Sequence, residues 1–165
     1  MYQLEPASVR ALVQAYLDAL DESGLGSRIY GIYLYGSIPL GGFDEHTSDI
    51  DVIALTHEDL APAELAVLQA IHEHLEQEPA FSFLRKRLDV MYVPLRDLGK
   101  RNSEVAPYPY AAGGEFHPSG HFDLNGVASI TGLRPTAAVT PHGVGHRQRC
   151  GLKACGPRRV TQHAS

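Results

Sequence analysis

Two apolar segments joined by a glycine-containing loop place the tightest constraint on how this chain can fold. Residues 29–35, IYGIYLY, and residues 50–55, IDVIAL, are rich in β-branched and aromatic side chains. In each segment the side chains that alternate between the two faces of a strand are apolar on both faces, which predicts two strands buried on both sides. The loop between them opens with Gly-Ser and closes on two aspartates, Asp49 and Asp51. The chain must therefore place two like charges where its second strand enters the core.

This pair of aspartates predicts a cation site. Residues i and i+2 of a strand project from the same face, so the carboxylates of Asp49 and Asp51 share one region of space. Two carboxylates so close repel each other unless one binds a proton or a cation lies between them. Their hard oxygen ligands suit Mg²⁺, which takes one or two protein carboxylates plus water and substrate phosphates. Acids two residues apart also occur by chance, as at Glu76 and Glu78, which we interpret as a solvated helix end.

The start of the same loop predicts phosphate binding. Gly36 and Ser37 lie where the first strand must end, and Gly41 and Gly42 then give a flexible connection. Glycine permits a sharp turn, and the amides that open the next segment can bind phosphate oxygens together with the Ser37 hydroxyl. The whole pattern is far more specific than any of its parts. It consists of a strand, Gly-Ser, eleven residues, Asp-x-Asp and a second strand.

The remaining periodicity predicts one unit of the α/β (α+β) class. Apolar residues recur at three- and four-residue spacings over 5–22 and 62–77, which predicts two amphipathic helices. Residues 87–93, RLDVMYV, alternate as a third strand, and residues 102–126 have no clear period, so we expect a long irregular segment there. A chain of 165 residues is long enough for one domain and short for two.

Composition changes abruptly near residue 127. Residues 1–126 hold all 19 acidic residues and eight Lys or Arg, whereas 127–165 hold six Lys or Arg and no acid. We therefore expect a domain over 1–126 and a basic, disordered tail over 127–165, whose composition also matches a shifted reading frame in a GC-rich gene. An acidic body makes nucleic acid an unfavourable partner. Without a membrane-length apolar run or a secretory signal, we expect a cytoplasmic protein.

The segment 34–55 resembles the signature of the nucleotidyltransferase superfamily related to DNA polymerase beta. In that signature Gly-Ser is followed, after about a dozen residues, by Asp-hydrophobic-Asp-hydrophobic. The segment is most similar to the aminoglycoside nucleotidyltransferases that adenylylate streptomycin and spectinomycin, through YGS at 35–37, GG at 41–42 and SDID at 48–51. The loop here is longer by about one residue, and the resemblance covers approximately residues 10–125.

The resemblance implies a nucleotidyltransferase fold, with a small mixed sheet flanked by helices, and an antibiotic-resistance activity. The implied reaction is Mg²⁺-dependent transfer of AMP from ATP to a hydroxyl of a small molecule, with release of pyrophosphate. A cationic acceptor such as an aminoglycoside would suit an acidic cleft. Asp49, Asp51 and a third acid would bind the metal and carry the catalysis, and Gly36 and Ser37 would bind the β- and γ-phosphates. Asp89 lies in the element where the third acid is expected.

Two departures from the family pattern leave alternatives open. The subgroup has a glutamate as general base where this chain has Asp89, whose reach is shorter by one methylene; the residue could instead be a charged residue at a sheet edge. Members also carry a C-terminal helical domain that completes the acceptor site, and residues 127–165 do not predict one. The chain could therefore be a minimal nucleotidyltransferase antitoxin that modifies a protein partner, or a truncated core that binds nucleotide without transferring it.

Other polar residues are weaker candidates for a site. Pro118 and Gly120 disfavour the helix that would bring His117 and His121 onto one zinc ion, so we expect these histidines and Asp123 to lie in a loop at the edge of the site. Two tyrosines that each follow a proline are candidates for stacking on a base, Tyr108 and Tyr110. Four tail residues have the spacing of a Cys₂His₂ zinc site but no supporting element, namely His142, His146, Cys150 and Cys155.

Overall fold

The computed structural model of the chain describes residues 6–129 and 138–139. Three α-helices and six strands follow one another along it, with short 3₁₀ turns between them. In chain order they are α1 (Ala7–Glu22), β1 (Ile29–Tyr35), β2 (Ile50–Thr56), α2 (Pro62–Gln77), β3 (Leu88–Pro94), β4 (Tyr108–Ala112), β5 (Glu115–Gly120), α3 (Leu124–Ser129) and β6 (Ala138–Val139). The two long helices and first three strands agree with the sequence predictions to within about two residues.

All six strands form a single mixed sheet in the order β5-β4-β3-β2-β1-β6. Strands β2 and β3 are parallel and are joined by the crossover helix α2, whereas every other neighbouring pair is antiparallel. A parallel pair needs such a crossover because its second strand must start again at the same end of the sheet. The α+β class predicted from the sequence is therefore confirmed, as a mixed sheet flanked by helices.

The two faces of the sheet are covered differently. Helices α1 and α2 pack on one face, where Tyr16 and Leu68 meet Val52 and Tyr92 in the larger part of the core. The other face carries a smaller apolar cluster, which includes Ile53, Leu55, Met91 and Val93 from the sheet and Leu124 and Val127 from α3. Because side chains alternate along a strand, each central strand contributes to both clusters.

Local signals account for the ends of the two long helices. Helix α1 follows Pro6 and ends before Gly24, which adopts the left-handed conformation with φ of +80°. Helix α2 begins with Pro62, and the Glu64 side chain accepts a hydrogen bond of 2.7 Å from the backbone amide of Ala61. Within the described residues, no helix combines the length and apolarity needed to cross a membrane.

The prediction of a long irregular segment over 102–126 is wrong. Strands β4 and β5 form a hairpin there, which turns at Gly113 and Gly114, both with positive φ. Proline obscured the pattern, because Pro118 lies in the edge strand β5 and Pro109 lies at the point where the hairpin register shifts. Prolines are tolerated at such edge and bulge positions because a missing N–H breaks no regular ladder there.

Parts of the predicted tail also belong to the folded unit. Helix α3 continues to Ser129, and Ala138–Val139 pair with Ile32 and Tyr33 of β1 as the short strand β6. The composition change at residue 127 therefore does not coincide with an end of secondary structure. The predicted disorder elsewhere in the tail lies outside the described residues, as does the Cys₂His₂ zinc site (His142, His146, Cys150 and Cys155).

Candidate active site

Strand register brings two of the predicted carboxylates side by side. Asp51 of β2 lies opposite Asp89 of β3 in the parallel pair, and Tyr35 of β1 lies opposite Asp51 in the antiparallel pair. Cross-strand partners project from the same face, so these three side chains lie side by side on the face away from α1 and α2. We refer to Asp51 and Asp89 as the carboxylate row. Strand β3 lies between β2 and β4, so Asp89 is not the edge residue that the sequence left as an alternative.

Asp49 lies near this pair but outside the strand. It precedes the first residue of β2 and is exposed, whereas Asp89 is only 9% exposed. The prediction that Asp49 and Asp51 lie on one strand is therefore wrong, because β2 begins at Ile50. Asp51 and Asp89 face each other across two strands, and Asp49 acts on both through its charge.

The charges and burial of Asp51 and Asp89 favour the binding of a proton or a cation at these carboxylates. Burial raises the pKa of Asp51 to about 6, with further contributions from the charges of Asp89, Asp49 and Asp123. Burial also raises the pKa of Asp89 to about 6, although the Gly113 amide donates it a hydrogen bond of 3.1 Å that acts in the opposite direction. No Lys or Arg of the described residues forms an ion pair with any of these four carboxylates.

Gly36 lies against Asp51 where β1 ends, and Ser37 follows it. Gly36 has φ of +70°, and a Cβ added to it would overlap the Oδ2 atom of Asp51. Only glycine therefore lets the chain turn this close to the carboxylate. The loop closes with a hydrogen bond of 3.0 Å from the Gly42 amide to the Ser37 carbonyl oxygen. The Ser37 hydroxyl is buried and has no hydrogen-bond partner among the described residues.

An arginine that the sequence analysis missed holds the second half of the loop. The Arg87 guanidinium donates hydrogen bonds to the carbonyl oxygens of Asp44, Glu45 and Ser48. The amide of Ile50 donates in turn to the Arg87 carbonyl oxygen at 2.7 Å. Asp49 is thus fixed between two residues that both bond to Arg87. The available sequence signal was that Arg87 lies two residues before Asp89, at the start of the third predicted strand.

The predicted group of His117, His121 and Asp123 is separated in the structure. His117 stacks on Tyr110 with ring centroids 4.6 Å apart, and the Nε2 atom of His121 lies 3.2 Å from the Val105 carbonyl oxygen. Asp123 instead faces the carboxylate row and raises the pKa of both Asp51 and Asp89, as stated above. A fourth acid of the site therefore comes from the segment that the sequence analysis interpreted as irregular.

The two tyrosines considered for base stacking have structural contacts. Tyr108 is buried, and its hydroxyl accepts hydrogen bonds from the amides of Phe122 and Leu124. Tyr110 stacks on Phe122 with the rings 9° from parallel, in addition to its contact with His117. Tyr108 is therefore not free to contact a base, and both rings instead fix the segment that leads to Asp123.

The donor set fits Mg²⁺ that arrives together with phosphates. No three His, Cys, Asp or Glu side chains within the described ranges are placed so that they could hold a metal ion by themselves. Mg²⁺ commonly takes only one or two protein carboxylates and completes its octahedron with water and phosphate oxygens. The neighbouring Asp51 and Asp89 would supply that number. The Ser37 hydroxyl, which has no partner among the described residues, and the turn at Gly36 lie next to them.

A cavity of about 290 Å³ lies at the other end of the central strands and is separate from this site. Its walls include Thr56 and Pro94, the last residues of β2 and β3, so the length of both strands separates it from Asp51 and Asp89. Arg96 also lines it but is already paired with Asp59 at 2.7 Å. The carboxylate row and the Gly-Ser turn thus remain the candidate active site.

No protein-family model matches the chain, and no curated protein is found to be similar to it. The resemblance to nucleotidyltransferases consequently stays a prediction from the motif residues.

Proposed function

We propose that this protein is a Mg²⁺-dependent nucleotidyltransferase that transfers AMP from ATP to a hydroxyl of a small molecule and releases pyrophosphate. One observation carries the proposal, namely the register that sets Asp51 beside Asp89 with the Gly36 turn packed against Asp51. A carboxylate pair next to a glycine turn is what transfer of a metal-bound phosphoryl group requires, because positioning and charge stabilisation account for most of its catalysis.

The residues of the chain divide between binding the nucleotide and binding the metal. Asp51 and Asp89 would hold the Mg²⁺, with Asp49 as a further acid at the exposed side of the pair. The Ser37 hydroxyl and the amides of the loop after Gly36 would bind the β- and γ-phosphates. When bound, Mg²⁺ would neutralise the charge that develops on the phosphate oxygens.

The proton of the attacking hydroxyl needs an acceptor, and Asp89 is suited to that role. A general base must lie within hydrogen-bond reach of the proton that it accepts, and Asp89 lies beside Asp51, where the metal would hold the reacting phosphate. The acceptor oxygen would form the new bond to the α-phosphorus as the bond to the pyrophosphate oxygen breaks. The proton of the acceptor would pass to the Asp89 carboxylate.

The molecule that would accept AMP is proposed only from the negative charge of the site. Four carboxylates without an ion pair among the described residues create a negative potential that attracts cations. An aminoglycoside carries several ammonium groups as well as free hydroxyls, so it matches both the field and the reaction. A minimal antitoxin that modifies a protein hydroxyl, or a core that binds ATP without transfer, would use the same residues for the nucleotide.

The test is incubation of the purified chain with Mg²⁺, ATP and a panel of aminoglycosides, with release of pyrophosphate as the readout. We expect turnover with at least one acceptor, loss of turnover in Asp51→Asn, and wild-type turnover in Asp21→Asn, which removes an exposed charge from α1. Transfer of labelled AMP to a protein instead would support the antitoxin. Binding of Mg-ATP without any transfer would support the truncated core, and equal Mg-ATP binding by wild type and Asp51→Asn would refute the site.

A further inference from the structure

Two buried hydroxyl groups on either side of Gly36 lack a well-aligned hydrogen bond among the described residues. These are the Tyr35 Oη and Ser37 Oγ atoms. The Asp123 carboxylate lies near enough to the Tyr35 hydroxyl to add to the effect of burial in raising its pKa, but the geometry of a regular hydrogen bond is not met. Tyr35 as a whole is only 5% exposed. A buried hydroxyl without a partner costs about 1–3 kcal/mol, and native proteins retain few of them. Two such groups within three residues indicate a ligand that supplies the missing acceptors.

The position of Tyr35 identifies what kind of acceptor this is. Tyr35 ends β1 opposite Asp51, which in turn lies opposite Asp89, so the phenol ring lies on the same face as these carboxylates, and burial together with their charges raises its pKa. A tyrosine hydroxyl is protonated at neutral pH and donates one hydrogen bond. A phosphate group carries several acceptor oxygens, and it also brings the divalent cation that unpaired carboxylates need.

We propose that the Tyr35 hydroxyl donates a hydrogen bond to an oxygen of the α-phosphate of the nucleotide. This inference rests on the proposed function. Tyr35 is in register with Asp51 and Asp89, the residues assigned to the reacting phosphorus, whereas Ser37 lies farther along the loop and serves the distal phosphates. Because the carboxylates repel a bare anion, the contact forms only when Mg²⁺ accompanies the phosphate.

The first test compares Tyr35→Phe with Tyr33→Phe by calorimetric titration with Mg-ATP. Tyr33 lies two residues earlier on the same strand and is partly exposed, so it is a matched control for removal of a phenolic hydroxyl. Hydrogen bonds to charged groups are strong enough that loss of this one should weaken binding about 10- to 100-fold. We expect Tyr33→Phe to bind as the wild type does. The same proportional loss in Tyr35→Phe is expected with Mg-tripolyphosphate, which has no nucleoside.

The second readout is the stability of the free protein. Tyr35→Phe removes a hydroxyl that forms no well-aligned hydrogen bond with the described residues, so the midpoint of thermal unfolding should stay unchanged or rise even though ligand affinity falls. A lower midpoint would show that the hydroxyl bonds within the protein, for example to Asp123, and would overturn the inference. A loss of affinity for Mg-ATP but not for Mg-tripolyphosphate would assign the contact to the nucleoside and would overturn it as well.

Failure of this inference is distinguishable from failure of the proposed function. If the wild type binds Mg-ATP and Tyr35→Phe binds it equally well, only the role of Tyr35 is refuted. If the wild type binds neither Mg-ATP nor Mg-tripolyphosphate, the proposed function and the role of Tyr35 are both refuted.

Discussion

Replacing Asp51 by Asn should stabilise the protein at neutral and alkaline pH while destroying its site. The pKa of Asp51 rises from 3.8 to about 6, which corresponds to about 3 kcal/mol of unfavourable free energy for its charged form in the fold. An amide keeps the shape but removes that charge, and it also relieves the neighbouring Asp89. Because burial still penalises the polar amide and Asp51 is partly exposed, we expect a gain of about 1–3 kcal/mol in the free energy of unfolding.

The pH dependence of this gain gives the prediction a definite sign. The folded-state pKa of Asp51 and of Asp89 exceeds the unfolded value of 3.8, so the native state binds more protons than the unfolded chain between pH 3.8 and about 6. Wild-type stability conferred by these groups therefore falls as the pH rises through that interval. The advantage of Asp51→Asn should be complete above about pH 6 and absent below about pH 4.

The assay is urea unfolding of wild type, Asp51→Asn and Asp21→Asn at several pH values, with and without Mg-ATP. Asp21→Asn changes an exposed side chain and should stay within about 0.5 kcal/mol of wild type. Mg-ATP should stabilise the wild type above pH 6 and leave Asp51→Asn unaffected, since a ligand stabilises only the state that binds it. The reasoning is refuted if Asp51→Asn is no more stable than wild type at about pH 8, or if its advantage does not depend on pH.

Three further predictions concern the loop and the core. Gly36→Ala should cost about 2 kcal/mol of stability and abolish Mg-ATP binding in a calorimetric titration, because the added Cβ would overlap the Asp51 carboxylate and φ is +70°. In the control Gly42→Ala the added Cβ meets open space, so its stability and its Mg-ATP binding should match those of the wild type. Burial lowers the pKa of His72 to about 4, so the stability that its neutral form contributes should be lost as the pH falls from 6.5 to about 4. In urea unfolding, the free energy of unfolding of His72→Leu should therefore depend less on pH than that of the wild type. Arg87→Ala should lower stability by about 1–3 kcal/mol and weaken Mg-ATP binding, whereas the exposed Arg85→Ala should change neither.

The elements with a strong period could be predicted from the sequence, and the hairpin could not. Strands β1, β2 and β3 are apolar runs whose burial is set by their own composition, and both long helices carry proline at or next to their starts. The hairpin β4–β5 has prolines inside both strands and a partly exposed edge, so its local preferences contradict its final conformation. Pairing of β4 with β3 overrides those preferences, and such long-range pairing leaves no periodic signal.

The residues of the candidate site also divide into those that could be predicted from the sequence and those that could not. Gly36, Ser37 and Asp51 belong to one continuous motif, so spacing alone was enough to group them. Asp89 was expected only because the resemblance implies a third acid on a later strand, and the parallel register sets it directly opposite Asp51. Asp123 was expected in a loop at the edge of the site, but its effect on Asp51 and Asp89 could not be predicted, because its position depends on the hairpin and on the contacts of Tyr108 and Tyr110 described above.

The mixed character of the sheet is what allows this site to exist. In an all-parallel sheet the loop after β1 would lie at the opposite end from the first residues of β2 and β3. Here β1 is antiparallel to β2, so the loop with Gly36 meets Asp51 at the start of β2, while the parallel pairing of β2 and β3 sets Asp89 at the same level. Backbone hydrogen bonds therefore hold the carboxylates together, and side-chain rotation alone cannot separate the segments that carry them. Their repulsion is consequently built into the fold, and a bound cation is the simplest way to relieve it without unfolding the sheet.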